Sequence, residues 1–138
     1  MSKSRIIPDI DPAEPLSAGL EKIVRARVHE LVLFADGARK GGPEPVHDMR
    51  VACRRLLSVL KIFRGAVKSE SLRPLKRIFR ALRDVRECDV FIKVLNKFAE
   101  KNTRTAAARL SGEYAKKRKS ASIRLRKTID SIDLRMLG

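Results

Sequence analysis

VHDMRVACRRLLSVLKIF, residues 46 to 63, is the stretch that decides the fold. Read as a helix, it carries two stripes on opposite sides. With His47 set at 0°, Arg50, Arg54, Ser58 and Lys61 fall at about −60°, −20°, +20° and −40°. Met49, Ala52, Cys53, Leu56, Val59, Leu60 and Phe63 gather on the far side. A helix so divided buries one side and offers the other to something polar. An ordinary solvated helix alternates signs to gain i,i+4 support, but here Asp48 is the one acid between His47 and Lys61. We therefore read the row, flanked by Arg55, as an anion-facing surface rather than the solvated face that most charge runs form.

Outward from this segment the chain continues as helix. GGPEP at 41–45 is the strong break after the N-terminal region, so the second helix starts near Pro45 and runs to Phe63 or Arg64, where Gly65 closes it. Upstream, Leu20, Ile23, Val24, Leu31, Phe34, Ala35 and Ala38 recur at three and four and predict a helix over 17–39, with Arg39, Lys40 and Gly41 as its stop. Downstream, a third helix over 69–99 opens on the acceptors Ser69 and Ser71, carries Pro74 in its early turns, and has Leu72, Leu75, Ile78, Phe79, Leu82 and Val85 on one stripe. A fourth, over 103–129, shows a thinner stripe of Ala106, Leu110, Tyr114, Ala121, Leu125 and Thr128. No run has β periodicity. The expectation is an all-α, up-down four-helix bundle over 16–138, preceded by a flexible proline-rich arm over 1–15.

Thirty-two Lys and Arg against 16 Asp and Glu leave a formal charge of +16 on 138 residues. Such a field selects polyanions: nucleic acid, an anionic membrane surface or polyphosphate. No apolar run approaches the roughly 18 residues of a membrane span, and MSKSRIIPDIDPAEP lacks the apolar region of a secretion signal. The reading is a cytoplasmic protein with no membrane partner. Cys53 and Cys88 sit in apolar helical stretches without C-x-x-C spacing and read as small buried hydrophobes. No metal or cofactor is expected.

Other basic rows have different weights. Arg73, Lys76, Arg80 and Arg83 share a flank of the third helix, so Lys76 and Arg80 join Lys61 as anion-binding candidates from helical geometry. Lys22, Arg25 and His29 share a face diluted by Glu21 and Glu30, and Lys116 to Lys119 point around their helix, which reads as solvation. Arg86 and Asp89 continue the apolar stripe of the third helix, and are expected to face inward and satisfy each other or a neighbouring helix. No second inward acid, no nucleophile with a base and no glycine-rich phosphate loop accompanies them, so no catalytic residue is assigned and the chain is read as a non-enzyme.

VHDMRVACRRLLSVLKIF also closely resembles the opening motif of the CHAD family, the conserved histidine α-helical domain, in which V-H-x-x-R-V-x-x-R-R-L begins a helix. LKRIFRALRDVRECDV at 75–90 resembles its later L-G-x-x-R-D-x-D-V motif through Leu82, Arg86, Asp89 and Val90, with Arg83 in place of the glycine and Glu87 in place of an aspartate. The resemblance implies a helical domain whose basic faces bind inorganic polyphosphate, with His47, Arg50, Arg54 and Arg55 as the matched phosphate-binding positions, and polyphosphate granules as a place of association. It further implies two four-helix units related by a pseudo-two-fold. This chain would be one of them, its counterpart coming from a longer chain or from a second copy in a homodimer. The scarcity of aromatics, no Trp and one Tyr, agrees with a ligand that has no bases to stack. Nucleic-acid binding stays open as the alternative, and a purely structural helical bundle as the third.

Overall fold

The computed structural model describes residue 7 and residues 9–66, 69–101 and 104–134. Residues 1–6 and 8 of the expected arm lie outside them, as do the side chains of Ser69 and Ser71. Four helices follow in order: α1 (Leu16–Arg39), α2 (Pro43–Ile62), α3 (Ser69–Lys101) and α4 (Arg104–Asp130), with a single 3₁₀ turn, Arg64–Ala66, after α2. There is no strand among the described residues. Each helix packs on the next and α4 returns to α1, which makes the all-α four-helix bundle.

The boundaries have local causes. Gly41 has φ of +84°, a left-handed conformation that stops α1. Its neighbour Gly42 donates back to the Gly37 carbonyl at 3.2 Å, the six-to-one bond of a Schellman ending. Gly42 then precedes Pro43, and the fixed φ of proline starts α2 two residues before the expected Pro45. Pro74 is accommodated inside α3, five residues beyond its first, where the missing N–H removes one helical bond close to the terminus. Ahead of α1, Lys22 donates to the Asp9 carbonyl at 2.6 Å and pairs with Glu14 at 2.7 Å, tying part of the proline-rich segment to the helix.

The core runs through α2. Val46, Met49, Ala52, Cys53, Leu56, Leu57 and Leu60 are buried. The set is wider than the one-sided stripe, with Val46 and Leu57 added while Val59 and Phe63 are half-buried, because α2 packs on both α1 and α3. Leu31 of α1, Leu75, Ile78, Leu82 and Val85 of α3, and Leu125 of α4 complete it. On α4 the buried positions are Ala107, Ala121, Leu125 and Ile129, and Ala106 and Leu110 are exposed. That corrects the expected stripe by one residue at Ala106 and at Thr128.

Two positions carry the tightest constraints. A Cβ on Gly37 would lie 2.6 Å from both Cβ and Cγ of Pro45, so α1 and the start of α2 touch with no room for a methyl group. Gly37→Ala gains about 1 kcal/mol of helix propensity but collides with a ring that cannot rotate aside, at about 1–3 kcal/mol. We expect a net loss of about 1 kcal/mol, read as a lowered urea midpoint at unchanged slope.

Cys53 donates its thiol to the Leu75 carbonyl at 3.6 Å, and burial pushes its pKa up to about 12. The folded value lies above the unfolded one of about 8.5, so this contribution to stability is complete below that pH and is lost as pH rises toward 12. Between pH 8 and pH 10 the wild type should lose about 2 kcal/mol more than Cys53→Ala in urea titrations. Parallel losses would show that the thiol does not report the core.

Candidate anion-binding site

His47 and Arg50, at the start of the charged stripe of α2, open into one hollow beside α3, and a second hollow lies along the first turns of α3. One, of about 700 Å³, is lined by His47 and Arg50 from α2, by Arg83 and Arg86 from α3, and by an apolar side described below. The other, of about 580 Å³, gathers Arg64 from the 3₁₀ turn with Arg73, Lys76, Arg77 and Arg80 of α3, together with Glu70 and Leu72. The basic row of α3 thus extends from Arg73 to Arg86, about 20 Å along the helix axis.

Arg50 Nε and His47 Nδ1 are buried and have no hydrogen-bond partner among the described residues. Asp48 Oδ1 shares that state. An unpaired buried donor costs roughly 1–3 kcal/mol, and of these atoms Arg50 Nε is a donor in every protonation state. Arg83 is half-exposed and held by Asp84 at 3.5 Å and Glu87 at 3.7 Å. The glycine expected there from the resemblance is therefore not needed for close packing, since an arginine fits on the open side of α3.

The seven expected phosphate-binding residues do not form one site. His47 and Arg50 line the larger hollow, and Lys76 and Arg80 the smaller. Arg54 and Lys61 are exposed on α2 and line neither. Arg55 is turned towards α1, where its Nη1 lies 3.9 Å from Oε2 of Glu30. Glu30 is 2% exposed and also pairs with Arg27 at 3.0 Å, so Arg55 helps neutralise a buried carboxylate. On α1, Lys22 and Arg25 of the weaker row are held by Glu14 and Glu21.

Of the two alternatives for Arg86 and Asp89, the structure takes the second for Asp89, which a neighbouring helix satisfies. The two do not pair with each other. Arg86 lines the larger hollow, while Asp89, 12% exposed, accepts from Arg118 Nε of α4 at 2.5 Å. The same guanidinium donates through Nη2 to the Gly41 carbonyl at 2.6 Å. Arg118, read from its charge run as a solvated side chain, is the tie between α3, α4 and the α1–α2 turn. The missed signal was spacing: 107, 114, 118, 121 and 125 keep a four-and-three rhythm that places Arg118 on the inner face.

A family profile matches residues 22–137 and carries the description CHAD domain. The chain belongs to the CHAD domain family. The match spans both the α2 motif and the Arg86–Asp89 segment, so in this CHAD domain the motif histidine and arginine line a cleft and the motif aspartate anchors α4. No curated protein and no solved structure matches the chain. Among the described residues no group of three or more His, Cys, Asp or Glu is placed to hold a metal ion, and no helix is long and apolar enough to cross a membrane.

Removing the Asp89 carboxylate leaves Arg118 without its main partner. Both side chains retain some solvent contact, so Asp89→Ala should cost about 2–3 kcal/mol, the range of charge-assisted hydrogen bonds, below the 3–5 kcal/mol of a fully buried pair. Arg118→Ala should cost a similar amount, and the double variant little more than either, a non-additivity that a double-mutant cycle in thermal melts would measure. Additive losses would separate the two residues.

Proposed function

We propose that this CHAD domain is a non-catalytic binding module for inorganic polyphosphate, held along the basic row of α3 and the start of α2. The observation that carries the reading is the unpartnered buried donor Arg50 Nε, in a hollow lined also by His47, Arg83 and Arg86. A donor left unpaired in a basic hollow is matched by an anion with acceptor oxygens. Arginine is the residue type best shaped to grip them, because its planar fork meets two phosphate oxygens at once.

The second hollow supports a linear ligand rather than a single phosphate. Arg73, Lys76 and Arg80 continue the row beyond Arg83, so a chain with a charge on every unit can follow α3 and meet cations along about 20 Å. Like charges arranged in this way repel until an anion neutralises them, and the +16 charge draws such a ligand from a distance. Duplex DNA is also attracted by this field. Its contacts to exposed lysines and arginines are screened once charges lie beyond the Debye length of about 8 Å at 0.15 M salt, whereas a flexible chain can enter the hollows.

Competition between long-chain polyphosphate and duplex DNA of equal charge tests this reading. At about 0.15 M salt polyphosphate should remain bound while DNA is released. Arg50→Ala and Arg83→Ala should each weaken polyphosphate binding by about tenfold, the lower end of a charge-assisted contact, with helicity by circular dichroism unchanged. Arg55→Ala should instead lower stability, through Glu30. Equal retention of DNA, or a loss of binding confined to Arg55→Ala, would overturn the assignment.

A further inference from the structure

The larger hollow has a second wall that a chain of phosphates does not use. Beyond Arg83 and Arg86 along α3 the lining continues as Val90, Phe91 and Val94, joined by Tyr114 of α4. Val90, Phe91 and Val94 are 45%, 40% and 56% exposed, although α3 has its main buried stripe elsewhere. The Phe91 and Tyr114 ring centroids lie 4.2 Å apart at 31°, and Lys117 covers Tyr114 with its Nζ 4.7 Å from that ring's centroid. Tyr114 is therefore occupied on both counts. Phe91 is left as an aromatic platform, braced from behind and open to the hollow.

We propose that this hollow binds a small phosphorylated ligand that also carries a flat apolar group, of which a nucleoside triphosphate is the type. This rests on the reading of the hollow as an anion site and adds a ligand class to it. The phosphates meet Arg50, Arg83, Arg86 and His47, and the ring system lies on Phe91 between Val90 and Val94. The geometry favours a small molecule over a macromolecular strand, because the basic and the apolar residues line one hollow of about 700 Å³. That volume lies within the range of about 300–1,000 Å³ typical of small-molecule sites. Glu87 also lines the hollow, 3.7 Å from Arg83 Nε, so a bound phosphate competes with it for that guanidinium.

The test compares adenosine triphosphate with inorganic tripolyphosphate in metal-free buffer by calorimetry on the full chain. The two share three phosphates and differ by the adenosine. We expect the nucleotide to bind about tenfold tighter, near the low end of what stacking a base on an aromatic side chain contributes. Phe91→Ala, and separately Val94→Ser, should remove that advantage while leaving tripolyphosphate binding as it was. Both side chains are exposed enough for the fold to survive, which circular dichroism verifies in the same samples. Equal affinity for the two anions overturns the proposal but leaves polyphosphate binding standing, and failure of both anions to bind overturns the two readings together. A nucleotide advantage that survives both substitutions also overturns it, by locating the ring elsewhere. Ligand-independent dimers in sedimentation that Phe91→Ala dissolves would assign the apolar wall to a protein contact and overturn it as well.

Discussion

A guanidinium that bonds a carboxylate on α3 and a backbone carbonyl between α1 and α2 fixes the height of α4 against everything else in the bundle. Arg118 does this from the inner face of a helix whose own apolar stripe is thin. Ala107 and Ala121 bury little area, so α4 gains less from the hydrophobic effect than α2 or α3 does. A directional, charge-assisted pair supplies registry where small side chains do not. Arg39 of α1, 2.6 Å from Asp130 at the far end of α4, repeats the device in the open, where it contributes less. With α4 set, Tyr114 stands behind Phe91, and the cleft between α2 and α3 has its floor.

The larger hollow follows from the same economy of sides. α2 spends its apolar residues on two neighbours at once, which leaves a narrow polar strip, and every long side chain on that strip is basic or histidine. α3 carries arginines at three- and four-residue spacing. Cations on neighbouring helices do not attract, and His47 and Arg50 line one hollow with Arg83 and Arg86. Leu56, Leu82 and Val85, on the buried sides of the same helices, belong to the core.

The helices were legible in the sequence because their boundary signals are backbone chemistry: Gly41 with its left-handed φ, and the proline pair of GGPEP, which placed the start of α2 to within two residues. The family motif was legible for the same reason that His47 and Arg50 lie together, a fixed spacing along one helix. What escaped was whatever depends on rotation of one helix against another. Arg55 and Arg54 are adjacent in sequence and similar in type, yet one reaches the buried Glu30 and the other faces solvent. Arg86 and Asp89, three apart on one helix, diverge to different neighbours. Arg118 was hidden inside a run of four basic residues whose directions only the packed bundle distinguishes. The apolar wall went unread because Val90, Phe91 and Val94 look like an ordinary core stripe until α2, which ends against the middle of α3, fails to cover them.

The excess of positive charge also gives this domain an unusual relation to ions. Salt screens the repulsion among cations along α3, and so favours the compact state, while the same screening loosens any bound polyanion. Foldedness and occupancy then respond to ionic strength in opposite senses, and they are reconciled only when the counter-charge is a ligand seated in the cleft. On the proposed function, a polyanion seated in the cleft would act as a scaffold for the domain that grips it: in dilute medium the guest would hold the host together.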